Sequence, residues 1–285
     1  MSKYEKSYKK VPWTFSRDGL LRSGDSLMLR NKKTNGFLVM DIGDKQLGVD
    51  EAYMLTTCKE NPGPMTRSVF VIKRAEEVDI FGSDNIIRYG QKVKIEANPY
   101  VFRKTLFVSS TPLGPQVYSP VTRHQEASMH TKASYNGSWI IDSVDPTFRF
   151  ETQGEPVKAS DPILIRHCPT QHYLASDNKR YANDFGGENE VCTHSFAQQK
   201  KTQNLALEER GALTTDVPTK FQEDQNVFCF LTAPNESYQA PIEELHRFNI
   251  EDLIKEIKQK ILERSSFGIK GIARIFKAMD DNGNK

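Results

Sequence analysis

At 285 residues, with 27% charged side chains and with glycine and proline scattered along its length, the chain can bury a core without disulfide staples. Its composition is too mixed for disorder throughout. A formal net charge of +2 gives no reason to expect a nucleic-acid partner. The N-terminal region lacks a secretory apolar stretch, and the longest unbroken apolar run, residues 227–231, is far too short to cross a membrane. The expectation is a soluble intracellular protein with no membrane partner.

Residues 1–23 form a basic and aromatic arm, with Lys3, Lys6, Lys9, Lys10, Arg17 and Arg22 set against Glu5 and Asp18. It reads either as a solvated tail or as an arm laid on an acidic surface. From Gly24 to about residue 236, short β-branched and aromatic runs alternate with Gly, Pro, Asn and Asp clusters, which argues for an all-β domain. Within it residues 27–40 align without a gap on residues 163–176. Leu27, Leu29, Arg30, Thr34, Phe37 and Leu38 fall on Ile163, Ile165, Arg166, Thr170, Tyr173 and Leu174.

A third, more degraded copy lies between them at Val93, Ile95 and residues 106–110. The copies open at Gly24, Gly90 and Ser160, 66 and then 70 residues apart, and close on residues 69–72, 139–141 and 227–231. Alternation with a period of two is what a strand with one buried face requires. Three four-stranded units predict a pseudo-threefold closed barrel, a β-trefoil, whose closure removes the sheet edges that invite aggregation. Two polar segments, residues 111–137 and 197–226, interrupt the pattern. They read as loops that contact a partner or as mobile decoration.

From about residue 237 the pattern turns helical. Ile250, Leu253, Ile254, Ile257 and Ile261 make one apolar stripe, and a second amphipathic stretch carries Ile269, Ile272, Phe276 and Met279. This short α-helical appendage runs into Asp280, where the sequence resembles the start of an EF-hand loop. Asp280, Asn282 and Asn284 would supply oxygen ligands to calcium at the first, third and fifth loop positions. A loop of this kind needs about twelve residues and a bidentate Glu at its end. The first reading is a chain cut short within the loop, the second a degenerate structural remnant, and the last a working calcium site.

No phosphate-binding glycine loop, HExxH or GxSxG motif occurs. The nearest approach to a metal cluster is His167 and Cys168 with Cys192 and His194. Adjacent residues on a strand point to opposite faces, so buried thiols and hydrogen-bonded imidazoles are expected there in place of zinc. With Cys58 and Cys229 the cysteines are most simply free thiols. No catalytic residue, cofactor site or enzymatic activity is expected.

Several ordered features carry a family resemblance. They are Phe150 and Glu151, residues 154–157, residues 163–165 with His167, Cys168 and Thr170, and then Phe185, Gly186, Glu188, Glu190, Val191 and His194. Residues 88–91 and 106–110 match in the middle unit, and Gly24 and Asp25 match in the first. Together these resemble the cilia- and flagella-associated protein 161 family over roughly residues 24–234. The resemblance implies a MIR-like β-trefoil and a non-enzymatic structural protein of motile cilia. It implies a microtubule inner protein in the lumen of axonemal doublet microtubules, with α/β-tubulin and neighbouring inner proteins as partners.

The segment at 197–226 is longer than that family's usual one. The tail is closer to calcyphosin-type proteins. A ligand- or glycan-binding trefoil and a calcium-regulated adaptor are the alternatives.

Overall fold

Six strands carry large apolar residues at alternate positions (27 and 29, 70 and 72, 93 and 95, 139 and 141, 163 and 165, 228 and 230), so one face of each must turn from water. In the computed structural model those six close into a ring; the described residues are 7–75, 84–102, 104–146, 148–197 and 221–235. β1 (Ser26–Asn31) pairs with β4 (Phe70–Arg74), and β4 with β5 (Lys92–Ala97). β5 pairs with β9 (Trp139–Ser143), and β9 with β10 (Ile163–His167). β10 pairs with β13 (Val227–Leu231), which returns to β1, every pair being antiparallel.

Inward side chains from each strand fill this barrel in equivalent layers: Leu27, Val93 and Ile163; Leu29, Ile95 and Ile165; Phe70, Trp139 and Phe228; Ile72, Ile141 and Phe230. All are essentially without exposure. Burying each such side chain contributes roughly 1.5–3 kcal/mol. The Trp139 indole N–H also donates to the Val108 carbonyl at 2.8 Å, so its polar edge is satisfied inside the core.

The other strands form three hairpins that cap the barrel. These are β2 (Phe37–Lys45) with β3 (Ala52–Cys58), β6 (Phe107–Ser109) with β8 (Ser128–His130), and β11 (Leu174–Asn183) with β12 (Gly186–Thr193). Three seams join them: β3 with β8, β3 with β12, and β12 with the two-residue strand β7 (Gln125–Glu126). This is the β-trefoil expected from the repeat.

A second threefold feature lies where the units begin. Leu21 N–H donates to the Val157 carbonyl (3.1 Å), Val157 N–H to Ile87 (2.9 Å) and Ile87 N–H to Leu21 (2.8 Å), a closed cycle of three hydrogen bonds. All three side chains are fully buried. Their spacing of 66 and 70 residues repeats that of the unit openings. The described part of the N-terminal arm is therefore no free tail. Leu21 completes the plug, Val11 and Trp13 cover Met28, Phe37 and Val69 outside the barrel, and Thr66 N–H donates to Lys9 and Val11 N–H to Pro64.

The openings share one backbone geometry. Gly24, Gly90 and Ser160 have φ of 101°, 79° and 68°, and each N–H donates to the last strand of its own unit, at Ile72, Ile141 and Phe230. Only the third copy places a side chain in the left-handed region, which costs an L-residue about 1–2 kcal/mol. Ser160→Gly is expected to raise stability in urea unfolding by about 0.5–1 kcal/mol, because the added freedom of the unfolded chain offsets part of that gain. Ser160→Val should lower it.

The segment at 111–137 also departs from expectation. It contains β7, β8 and a 3-10 turn at Tyr135–Gly137, so the loop proper ends at His124.

Candidate functional site

The cap adds buried polar side chains to the apolar ones, such as Leu38, Leu55 and Leu174, that it contributes to the core. Glu188 on β12 is 3% exposed and accepts from Arg67 Nη2 (2.8 and 3.0 Å), Thr56 Oγ1 (2.6 Å) and Asn183 Nδ2 (2.7 Å). Arg67 is itself buried, with the Phe185 ring 3.7 Å from its guanidinium carbon. The Tyr8 ring in turn sets its edge on Phe185. The pair thus ties the first unit to the third, with the N-terminal segment over it.

Two further buried carboxylates fix the loop before β7. Glu126 accepts from Thr111 N–H (2.5 Å) and Ser128 Oγ (2.6 Å). Glu190 accepts from the N–H groups of Val121 (2.6 Å) and Thr122 (2.9 Å) and from Thr122 Oγ1 (2.6 Å). Charge-assisted bonds of this kind are about twice as strong as neutral ones. Between those anchors the Gln46 amide donates to the Tyr118 carbonyl at 2.8 Å. Gly48, with φ of 77°, lies so close to Gln116 that an added Cβ would fall 1.9 Å from its carbonyl oxygen.

Residues 111–124 are thus a braced loop. They present Leu113, Tyr118 and Val121 to solvent beside Leu47, which is 78% exposed. Exposed apolar groups on a preorganised loop are suited to holding another macromolecule, since little conformational freedom is lost on contact.

The residues singled out from the sequence fall elsewhere or do other work. Asp280, Asn282 and Asn284 lie outside the described residues. His167 is buried; its Nε2–H donates to the Asn136 carbonyl (2.9 Å), while Nδ1 faces Thr170 Oγ1 (2.8 Å) and Gln125 Nε2 (3.3 Å). Burial holds its pKa below the ordinary value, in the neutral form. Cys168 gives its N–H to Ser138. Burial pushes the Cys192 thiol up to about 12, with Glu190 adding to the effect, and burial also raises Cys58 and Cys229. Such thiols stay protonated and are poor nucleophiles.

His194 stacks on His124. Among the described residues no three His, Cys, Asp or Glu side chains are arranged to hold a metal. Sequence reasoning missed Arg67, Glu126 and the loop-bracing role of Glu190. The one legible signal was Glu188 and Glu190 at alternate positions of a strand.

Residues 45–205 match the model of the cilia- and flagella-associated protein 161-like domain. The chain is 26% identical over 209 residues to cilia- and flagella-associated protein 161 of Danio rerio, covering 68% of this chain and 69% of that one. It is 28% identical over 160 residues to the Bos taurus protein of the same name, covering 55% of this chain. There it spans about half of the relative's length, 49%.

Among solved structures, a Caenorhabditis elegans protein of unknown function superposes with a TM-score of 0.52 at 14% identity, covering 76% of this chain and 99% of that one. The S. cerevisiae protein O-mannosyltransferase Pmt1-Pmt2 complex gives 0.52 at 15% identity, covering 88% and 30%. Those two likenesses bear on the fold alone.

Proposed function

Because this chain belongs to the cilia- and flagella-associated protein 161 family, we propose that it is a non-enzymatic structural protein of motile cilia. In this reading it binds α/β-tubulin and neighbouring inner proteins inside axonemal doublet microtubules and stabilises them. Its association with cilia and flagella follows from the family. The luminal position and the tubulin contact are the proposal.

The observation that carries the reading is the braced loop. Glu126 and Glu190 hold residues 111–124 from both ends, and the exposed Leu113, Tyr118 and Val121 are spent on no internal packing comparable to the core. The buried, protonated Cys192 supports a scaffold over a covalent catalyst.

Extraction of isolated axonemes tests it. A luminal protein should stay with doublets through high salt and leave only when they are dismantled. Ready release by salt or detergent would sink the luminal assignment. In the same assay Leu113→Asp with Val121→Asp should leave the fold intact by circular dichroism and shift most of the protein to the salt-soluble fraction, as loss of central apolar contacts does at other interfaces.

A further inference from the structure

The seam between β7 and β12 ends in histidines. Thr193 pairs with Gln125, so His194 and His124 come next in register, and their rings stack with centroids 4.0 Å apart and planes 12° apart. His172 lies alongside His194 at 6.0 Å, its Nδ1 3.1 Å from Ser195 Oγ. Phe196 turns its edge to both, 5.6 Å from His124 and 4.8 Å from His194. His172 is exposed and the stacked pair is half-buried, so protons reach all three.

We infer that the His124–His194 stack is a proton-operated latch: uncharged, it closes the β7–β12 seam and seats residues 111–124; charged, it opens the seam and frees that loop. The inference concerns the chain by itself and does not rest on a ciliary role.

Like charges directly opposite on neighbouring strands repel, and two imidazolium rings at this separation leave no room for water between them. His124 is also the hinge of the loop. Its carbonyl accepts from Ser119 N–H at 2.8 Å, and Arg123 beside it has a φ of 58°. Burial holds His124 below the ordinary value of 6.5, with Glu190 pulling the other way. Burial, then His124 and His172, hold His194 below it as well.

Of the other groups named near the pair, Glu190 alone offsets the repulsion. His167 is held neutral and Cys192 protonated, while Arg123 adds positive charge. Glu190 opposes the repulsion, and it is already engaged with Val121 and Thr122. An imidazole that titrates lower when seated takes up more protons when released. The latch therefore holds fully above about pH 6.5 and weakens as the pH falls below it.

Hydrogen–deuterium exchange on the full chain, corrected for intrinsic rates, reads the latch directly. Between about pH 7.5 and about pH 5.8, peptides from residues 111–124 should lose about two- to fivefold in protection, the cost of like charges paired across strands. Peptides from β9 and β10 should not change. In His124→Gln with His194→Gln the loss should vanish. Loop protection that ignores pH in the native chain, or a loss that survives in the double variant, overturns the inference. Should that variant fail to fold, NMR titration of the native chain decides: His124 and His194 must titrate in separate steps, and a single common step at the ordinary value overturns it.

Discussion

Arg67→Met is expected to lower the unfolding free energy by about 3–5 kcal/mol, the usual cost of removing one partner from a buried ion pair. Both side chains are nearly free of solvent, at 3% and 4%. After the substitution Glu188 keeps only Thr56 and Asn183 as donors, which leaves a buried carboxylate without a countercharge. The packing of Arg67 under Phe185 goes as well. Adding Glu188→Gln to Arg67→Met should restore part of the loss, because the stranded charge disappears. Urea unfolding of the three variants measures this as a double-mutant cycle. A single variant within 1 kcal/mol of the native chain, on the scale of an exposed pair, would show that the pair does not anchor the cap.

The second large effect is at Leu21. Its truncation to alanine should cost about 2–5 kcal/mol, as for other fully buried leucines, although it sits in a stretch whose composition reads as a basic arm. Leu20→Ala, at a half-buried neighbour, is the control and should cost under about 1 kcal/mol. Since domains are stable by only about 5–15 kcal/mol, a chain begun at Gly24 should be far less stable than the full protein. Equal urea midpoints for the Leu21→Ala and native chains would remove the plug from the list of structural supports.

The same residue shows how far the sequence could be read. The spacing that links Gly24, Gly90 and Ser160 also links Leu21, Ile87 and Val157. The plug was therefore legible in the repeat, although the surrounding Lys and Arg give the stretch the composition of a charged arm. The barrel strands were legible because each has one dry face. β7 and β8 were less so, because their buried Gln125, Glu126 and Ser128 are satisfied by hydrogen bonds to Ser110, to Thr111 and to one another, and the apolar alternation there is only Ala127 and Met129.

The carboxylate anchors were beyond reach for a related reason. Glu190 meets its donors 69 and 68 residues away, and no local pattern encodes that meeting. His124 and His194 become neighbours only once the register of β7 on β12 is known.

Ala233 N–H donates to the Thr14 carbonyl at 2.8 Å, which sets the leading and trailing ends of the β domain side by side. Thr14 N–H donates in turn to Ser26 at the edge of β1. Tension applied through the two ends would therefore peel this corner open one bond after another, without ever shearing the barrel. Load entering sideways through the braced loop would instead be shared among several buried carboxylates and the strands behind them. Such a molecule resists a squeeze or a sideways push far better than a tug on its tails.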